Sequence, residues 1–220
     1  MQNSQVSSLR DYVLLTGLSK KVPLRKLLGS GNTKLPSSTA IFNFSSARDC
    51  PSLKLGLCMA YVDGKHVCYA KKAEYSCFPN CLPFRRKQEK FWLKTSAEDF
   101  ASQFLAINVV KRIPYKCLRF SEAGDFHNQD GVEKAEKIAR ILKKYGIKCY
   151  VYTSRCDLDY SHCTALIVNG SSFTAKGVTN IFQIAKKINK VPKGYGVCKG
   201  DCRLCNRCMI KGMKTMIEVH

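Results

Sequence analysis

Four cysteines lie within eleven residues near the carboxyl end of the chain: Cys198, Cys202, Cys205 and Cys208. Their spacing is Cys-x3-Cys-x2-Cys-x2-Cys. Thiols at such short intervals cannot all form local disulfides of good geometry, since a disulfide needs separated and suitably directed Cβ atoms. Thiolates are soft ligands that bind zinc or iron–sulfur clusters. Structural zinc usually takes two well-separated pairs, whereas one tight run is typical of a cluster. The run therefore predicts a 4Fe–4S cluster, with zinc as the alternative.

A second group of cysteines follows the first predicted strand, residues 39–44. Cys50, Cys58 and Cys68 are separated by seven and by nine residues. A cysteine placed directly after a strand can reach a metal at the carboxyl edge of a parallel sheet. We therefore predict these three as further metal ligands, which would meet some of the carboxy-terminal cysteines around one iron–sulfur centre at the strand ends. The alternative is that they are buried free thiols, because cysteine packs like a small apolar residue.

Polar residues at the ends of the next two strands are the candidates for catalysis and cofactor binding. Arg119 lies in a predicted strand, and the turn after it contains Gly124, Asp125 and His127. We predict Arg119, Asp125 and His127 as catalytic. For Asp125 the alternatives are helix capping or a salt bridge to Arg119, and for His127 a surface position.

Gly124 lets the backbone approach a ligand closely, because glycine adopts conformations that other residues resist. Tyr152 and Thr153 end the following strand and would face the same rim. We predict that these three residues bind the cofactor.

The composition indicates a reducing compartment and a polyanionic partner. The 220 residues include 13 cysteines, an odd number that argues against a closed disulfide framework and for thiols that bind metal. The formal net charge is +21, which attracts nucleic acid. Cations and aromatics also alternate in residues 84–92, a pattern that suits single-stranded nucleic acid. The alternatives are a solvated basic surface and an amphipathic helix with Phe91 and Trp92 in the core.

The apolar pattern predicts a cytoplasmic protein. No apolar run reaches the roughly 18 residues of a spanning helix, so we expect no membrane association. The first apolar stretch, residues 12–15, is too short for a signal peptide.

The secondary-structure pattern predicts an α/β fold. Strands are expected at residues 39–44, 117–120, 147–153 and 164–168. Helices are expected after a capping box at Ser96, after Asp130, and over residues 179–188. Such alternation favours a partial (β/α) barrel or an open, mostly parallel sheet. We predict a basic amino-terminal arm (residues 1–38), an α/β core (39–192) and a cysteine-rich metal-binding tail packed on the core (193–220).

An ordered set of motifs resembles the phage "gene product 88" family of largely uncharacterised proteins. The set spans residues 31–208 and includes Ile41-Phe42-Asn43, Cys50-Pro51, Cys68-Tyr69-Ala70, Gly124-Asp125-Phe126, Tyr150-Val151-Tyr152 and the carboxy-terminal cysteine run. Two departures are the long gap before Cys68 and Lys199 in place of a proline. The resemblance implies a phage protein in the host cytoplasm and, by itself, no particular reaction.

The arrangement is more distantly similar to radical S-adenosylmethionine enzymes, which place three cysteines after the first strand of a partial barrel. That similarity implies S-adenosylmethionine as a cofactor and a modification or redox reaction. The basic composition adds a nucleic acid or nucleotide as the expected substrate. It is a likeness at the level of the fold. Two other functions stay open: a non-catalytic nucleic-acid-binding protein stapled by zinc or a cluster, and a redox sensor or electron-transfer protein.

Overall fold

A computed structural model describes residues 17–62 and 64–218 of the chain. Its helices are α1 (Leu18–Lys21), α2 (Pro51–Lys54), α3 (Tyr69–Lys72), α4 (Cys81–Lys94), α5 (Ala97–Asn108) and α6 (Gln129–Lys143). A π-helix covers Ala73–Cys77, and short 3-10 turns cover Pro23–Lys26 and Arg207–Met209. The strands are β1 (Gly29–Ser30), β2 (Thr39–Phe42), β3 (Tyr61–Val62), β4 (Lys65–His66), β5 (Cys117–Phe120), β6 (Lys148–Thr153), β7 (Leu166–Ser171), β8 (Asn180–Ala185), β9 (Tyr195–Val197) and β10 (Lys214–Glu218).

Eight strands form one open sheet in the order β1-β2-β5-β6-β7-β8-β10-β9, and β3 and β4 form a separate hairpin. The short edge strand β1 is antiparallel to β2, and the other neighbours in the large sheet are parallel. The sheet does not close into a barrel. This confirms the predicted α/β class and, of the two predicted architectures, the open sheet.

One face of the sheet carries the main core. In β5 the alternation directs Leu118 and Phe120 toward the helices, and both are fully buried. Aromatic rings from the strands and from α4 and α5 pack together there. For example, Phe44 lies 4.5 Å from Trp92 and 5.1 Å from Phe120 between ring centroids. Burying such large side chains is the dominant stabilising contribution to the fold.

The helices of this layer begin close to where the sequence predicts. The Ser96 side chain accepts a hydrogen bond from the backbone N–H of Asp99 at 3.0 Å, as expected of the capping box. For α6 the capping residue is Asn128, whose side chain accepts from the N–H of Gly131, and Asp130 lies inside the first turn. The sequence also predicts a buried face of Val132, Ala135, Ile138, Leu142 and Tyr145. The first four have no exposed surface, but the prediction is wrong for Tyr145, which lies beyond the end of α6 and is 44% exposed.

The opposite face of the sheet carries Cys117, Tyr150 and Ile167, which form a smaller buried cluster. The carboxy-terminal segment covers it. Met209 packs against this cluster, with its Sδ 3.1 Å from the Sγ of Cys117. The same segment supplies β10, which lies between β8 and β9 and is parallel to both. The cysteine run is therefore held between this face and the edge of the sheet.

The prediction of a helix over residues 179–188 is wrong, because this segment contains β8. Its apolar residues Ile181, Phe182 and Ile184 fit a short helix or a strand equally well. Neighbouring strands decide between the two. β8 pairs with β7 on one side and along its whole length with β10 on the other.

Part of the segment predicted as a basic arm packs on the core. Leu24 is fully buried, Leu35 is nearly so, and β1 pairs with β2. Residues 1–16 lie outside the described residues. No helix in the described part of the chain is long and apolar enough to cross a membrane.

Candidate functional site

The four carboxy-terminal cysteines line one cavity of about 40 Å³ between their loop and the face of the sheet that carries Arg119, Tyr150 and Tyr152. Hydrogen bonds to backbone groups of the loop hold it at three points. The N–H of Cys198 donates to the carbonyl of Met216 at 2.7 Å, and the N–H of Cys202 donates to Lys34 at 2.8 Å. The carbonyl of Cys208 accepts from the Asn169 side chain. All four cysteines are half-buried, so their thiols are sheltered but can still be reached.

Sulfur chemistry in this cavity is tuned by Tyr152. Burial raises the pKa of the Cys208 thiol to about 11, while a hydrogen bond from the Tyr152 hydroxyl acts in the opposite direction. Burial also raises the pKa of Tyr152 well above its ordinary value, so its hydroxyl keeps the proton that it donates. Without a metal the Cys208 sulfur is a neutral thiol at pH 7. A metal would have to displace its proton.

Arg119 brings a buried positive charge to the same cavity. Its guanidinium lies 5.1 Å from the ring centroid of Tyr152, and its Nη2 donates to the Tyr69 hydroxyl at 3.1 Å. Its Nε is buried without a hydrogen-bond partner. In the described residues no carboxylate lies within ion-pair distance of this guanidinium. A buried cation with an unused donor favours a negatively charged group beside it.

The amino-terminal cysteines Cys50, Cys58 and Cys68 form a separate group. They do not line the cavity of the carboxy-terminal cysteines, so the structure does not bring the two predicted sets of ligands into one cavity. Cys50 directly precedes α2, and the N–H of Cys58 donates to Ser52 at 3.0 Å, which folds the chain back around this helix. The β3–β4 hairpin then leaves and returns, closed by a hydrogen bond from Val67 N–H to the carbonyl of Ala60. This hairpin accounts for the nine-residue gap, because it brings Cys68 back toward Cys58.

Electrostatic interactions connect the members of this group. Burial, together with the neighbouring Asp125 and Cys58, raises the pKa of Cys50 to about 12. Burial likewise raises the pKa of Cys58, with Cys68 adding to the effect. The Sγ of Cys58 lies 3.3 Å from Nε2 of His66, a contact that the sequence analysis missed.

Asp125 is a buried clamp between the amino-terminal cysteines and the sheet. Its Oδ1 accepts from Phe126 N–H and from the Thr153 hydroxyl at 2.7 Å. Its Oδ2 accepts from the Ser52 hydroxyl at 2.6 Å and from Ser154 N–H. Burial raises the pKa of this carboxyl despite these hydrogen bonds. Both oxygens are thus engaged by protein groups, and Asp125 positions the start of α2 against the ends of β5 and β6.

Gly124 and Thr153 belong to this clamp. Gly124 has φ of +72°, and a Cβ built there would meet three atoms of Ser45 within 2.7 Å. The turn can therefore pack directly on the backbone of residue 45 only with glycine. Thr153 is buried and bonded to Asp125. The structure brings these two predicted cofactor-binding residues together, whereas Tyr152 faces the other side of the sheet and lines the cavity.

His127 lies apart from the cavity of the carboxy-terminal cysteines. Its Nε2 is 2.8 Å from Oε1 of Glu89, on helix α4 of the main core layer. The salt bridge between Asp125 and Arg119 that the sequence left open is not found among the described ion pairs.

Tyr69 and Tyr150 are site residues that sequence reasoning missed. Tyr150 is the register partner of Arg119 in the adjacent strand, so alternation along β6 placed it on the same face. For Tyr69 the available signals were its position directly after Cys68 and its place in the Cys68-Tyr69-Ala70 motif.

The donor set fits a metal centre in kind. Four thiols and one buried guanidinium share a cavity, and in the described residues no cysteine is in a disulfide. Within residues 17–62 and 64–218, however, no three Cys, His, Asp or Glu side chains are arranged to hold a metal ion as they stand. A loaded centre would need the cysteine side chains to come closer together than they are here.

Comparisons with protein-family models, with curated proteins and with solved structures found no match for this chain.

Proposed function

We propose that this chain is an iron–sulfur protein whose carboxy-terminal cysteines hold a 4Fe–4S cluster against the sheet. The observation that supports this most is that four thiols line one cavity beside the buried guanidinium of Arg119. Four thiolates around an iron–sulfur core carry net negative charge, which would complement that cation. The Tyr152 hydroxyl would donate to the sulfur of Cys208 and stabilise its negative charge.

We further propose a second cluster at Cys50, Cys58 and Cys68. Three cysteine ligands would leave one iron open, and such a site can bind S-adenosylmethionine, as in radical S-adenosylmethionine enzymes. The location after β2, beside the clamp residue Asp125, supports this assignment. When bound, the cluster and its cofactor would supply one-electron chemistry.

The roles of the chain's own residues follow from their contacts. Asp125 and Thr153 orient α2 and therefore Cys50, and Gly124 lets the adjoining turn pack closely. Arg119 lies between the two groups and can bind an anionic part of the cofactor or substrate. The substrate that we propose is a nucleic acid or nucleotide, which the net charge of +21 would attract in the cytoplasm.

A second candidate function is electron transfer or redox sensing. It is favoured by the four cysteines of the carboxy-terminal site, because a centre with four protein ligands has no open position for a substrate. Under this alternative the amino-terminal cysteines are buried free thiols.

Anaerobic purification followed by iron, sulfide and zinc analysis tests these assignments. We expect a brown protein with about four iron atoms for each cluster. Alanine variants of Cys198, Cys202, Cys205 or Cys208 should lose one cluster's iron and sulfide. Cys156→Ala should lose none, because Cys156 is exposed and belongs to neither group.

A colourless protein with bound zinc would overturn the iron–sulfur proposal and favour a zinc-stapled nucleic-acid-binding protein. If the cluster is present, paramagnetic resonance of the reduced protein should change when S-adenosylmethionine is added. The change should disappear in Cys50→Ala, Cys58→Ala and Cys68→Ala. An unchanged spectrum in the wild-type protein would favour electron transfer.

A further inference from the structure

Three large aromatic side chains are exposed within ten residues next to Cys68. Tyr69, Tyr75 and Phe78 are 57%, 58% and 63% exposed. Tyr69 begins α3, Tyr75 lies in the π-helix that continues it, and Phe78 directly follows. Aromatic rings that face water forgo the favourable free energy of burying their apolar surface. Three such rings in one short segment therefore indicate a surface that binds a partner. We name these residues the aromatic surface.

Cations lie directly against this surface. The guanidinium of Arg48 is 3.8 Å from the ring centroid of Tyr75, and Nζ of Lys71 is 5.8 Å from it. Arg48 is itself exposed. The surface therefore offers flat π-faces and positive charge side by side. When the guanidinium of Arg48 stacks on one face of the Tyr75 ring, the opposite face of that ring is left free to stack on another ring.

Buried hydrogen bonds hold the aromatic surface in place. Glu74 accepts from the N–H groups of Ala47 and Arg48 and from Nη1 of Arg85, which ties the π-helix to the loop that carries Arg48. The Tyr69 hydroxyl donates to the carbonyl of Glu122 at 2.7 Å, so its polar end is fixed while its ring stays exposed. A surface whose side chains are already oriented binds a partner at a lower entropic cost.

We propose that the aromatic surface, with Arg48 and Lys71, is a binding site for single-stranded nucleic acid. This inference rests on the proposed function, since it names the strand form and the place at which the substrate binds. Exposed rings can stack on bases only where the bases are unpaired, and the cations can contact the phosphates between them. The site adjoins Cys68, so a bound strand would lie next to the amino-terminal cysteines.

The cation- and aromatic-rich residues 84–92 are not an equivalent site. Arg85 and Trp92 are buried, and Arg86 is paired with Asp49. The interpretation of that segment as an amphipathic helix is correct. We therefore assign the binding of single-stranded nucleic acid to the aromatic surface and not to residues 84–92.

Fluorescence anisotropy with a labelled oligonucleotide of about 15 nucleotides tests the proposal on the full chain. We expect single strands to bind more tightly than a duplex of the same sequence. Tyr75→Ala should weaken single-strand binding roughly 5- to 150-fold, the cost of one lost stacked base, and Tyr75→Phe should restore it. Arg48→Ala should weaken binding and lower the salt dependence by about 0.7 in slope.

Tyr145→Ala and Lys144→Ala are matched controls, because they remove an exposed aromatic residue and an exposed cation at the end of α6. Equal affinity of Tyr75→Ala and the wild-type protein, or equal losses in Tyr75→Ala and Tyr145→Ala, would overturn the proposal. Iron and sulfide are measured on the same samples. A protein without iron would overturn the proposed cluster but not the binding result, so the two proposals fail separately.

Discussion

The hydroxyl of Tyr69 lies 3.1 Å from Nη2 of Arg119, and this contact connects the two groups of cysteines. Tyr69 directly follows Cys68, whereas Arg119 lines the cavity of the carboxy-terminal cysteines. One hydrogen bond therefore links the residue after Cys68 to the lining of the carboxy-terminal cavity. The same contact orients the exposed ring of Tyr69.

Replacing Arg119 with Gln should lower the reduction potential of the carboxy-terminal cluster. A buried positive charge stabilises the reduced cluster, because the reduced state is the more negative one. The substitution removes this charge and so disfavours reduction. Each kcal/mol of lost interaction corresponds to about 40 mV for a one-electron couple. Redox titration followed by visible absorbance measures the shift. Arg112→Gln removes an exposed charge that does not line the cavity and should leave the potential in place. Equal potentials in Arg119→Gln and wild type would contradict the assigned position of the cluster.

Tyr152→Phe should also lower this potential, by tens of millivolts, because hydrogen bonds to ligand sulfurs favour reduction. The substitution deletes only the hydroxyl that donates to Cys208. Tyr150→Phe is the matched control. Tyr150 lines the same cavity, and no hydrogen bond from its hydroxyl to a cysteine is found in the described part of the chain. Identical shifts in the two variants would show that the hydrogen bond to Cys208 does not tune the cluster.

Gly124→Ala should destabilise the protein strongly, by about 3 kcal/mol or more. The new Cβ would collide with the backbone of Ser45, and the alanine would also have to adopt a left-handed backbone conformation. Gly146→Ala separates the two effects. Gly146 has nearly the same φ, +73° against +72°, but open space around the Cβ position. We expect Gly146→Ala to cost only about 1 kcal/mol. Urea unfolding monitored by circular dichroism measures the free energy of unfolding of each variant. Equal losses of stability in Gly124→Ala and Gly146→Ala would contradict the close packing of the turn.

Glu136 should support stability only above the pH range in which it takes up a proton. Burial by itself would raise its pKa, but hydrogen bonds from Leu166 N–H, Arg140 and Thr164 outweigh burial and lower the pKa below 4.5. A carboxyl with a lowered folded-state pKa contributes stability above its unfolded pKa, and this contribution is lost as the pH falls through the folded pKa.

Glu136→Gln should therefore cost about 2–4 kcal/mol at pH 7, because the amide would place N–H groups against the backbone donors of residues 164–166. The cost should shrink as the pH falls below 4.5, since Glu136 of the wild-type protein then takes up a proton as well. Glu133→Gln changes an exposed glutamate on the same helix and should have little effect at either pH. Free energies of unfolding at pH 7 and over a series of pH values below 4.5 test this. A cost of Glu136→Gln that stays constant throughout the series would contradict a stabilising ionised carboxyl at this position.

Local patterns were sufficient to predict many elements of the fold. The serine cap at Ser96 and the buried stripe of α6 depend on residues within one or two turns of each other, so they can be found without the tertiary structure. Residues 180–185 could not be assigned in the same way. A short apolar run satisfies both periodicities, and the hydrogen bonds that make it a strand come from β7 and from β10, the latter about 30 residues further along.

The grouping of the carboxy-terminal cysteines was also determined by the sequence, because eleven residues cannot place four thiols far apart. Only the tertiary structure decided which surface they face and which residues share their cavity. Arg119 and Tyr152 lie tens of residues upstream and reach the cysteines through the pairing of β5 with β6 and the return of the chain as β10. Likewise, the β3–β4 hairpin brings Cys68 back toward Cys58 across a gap that spacing alone left unexplained. Short-range order is encoded by neighbouring residues, whereas a site assembled from distant strands depends on how the whole sheet pairs and packs.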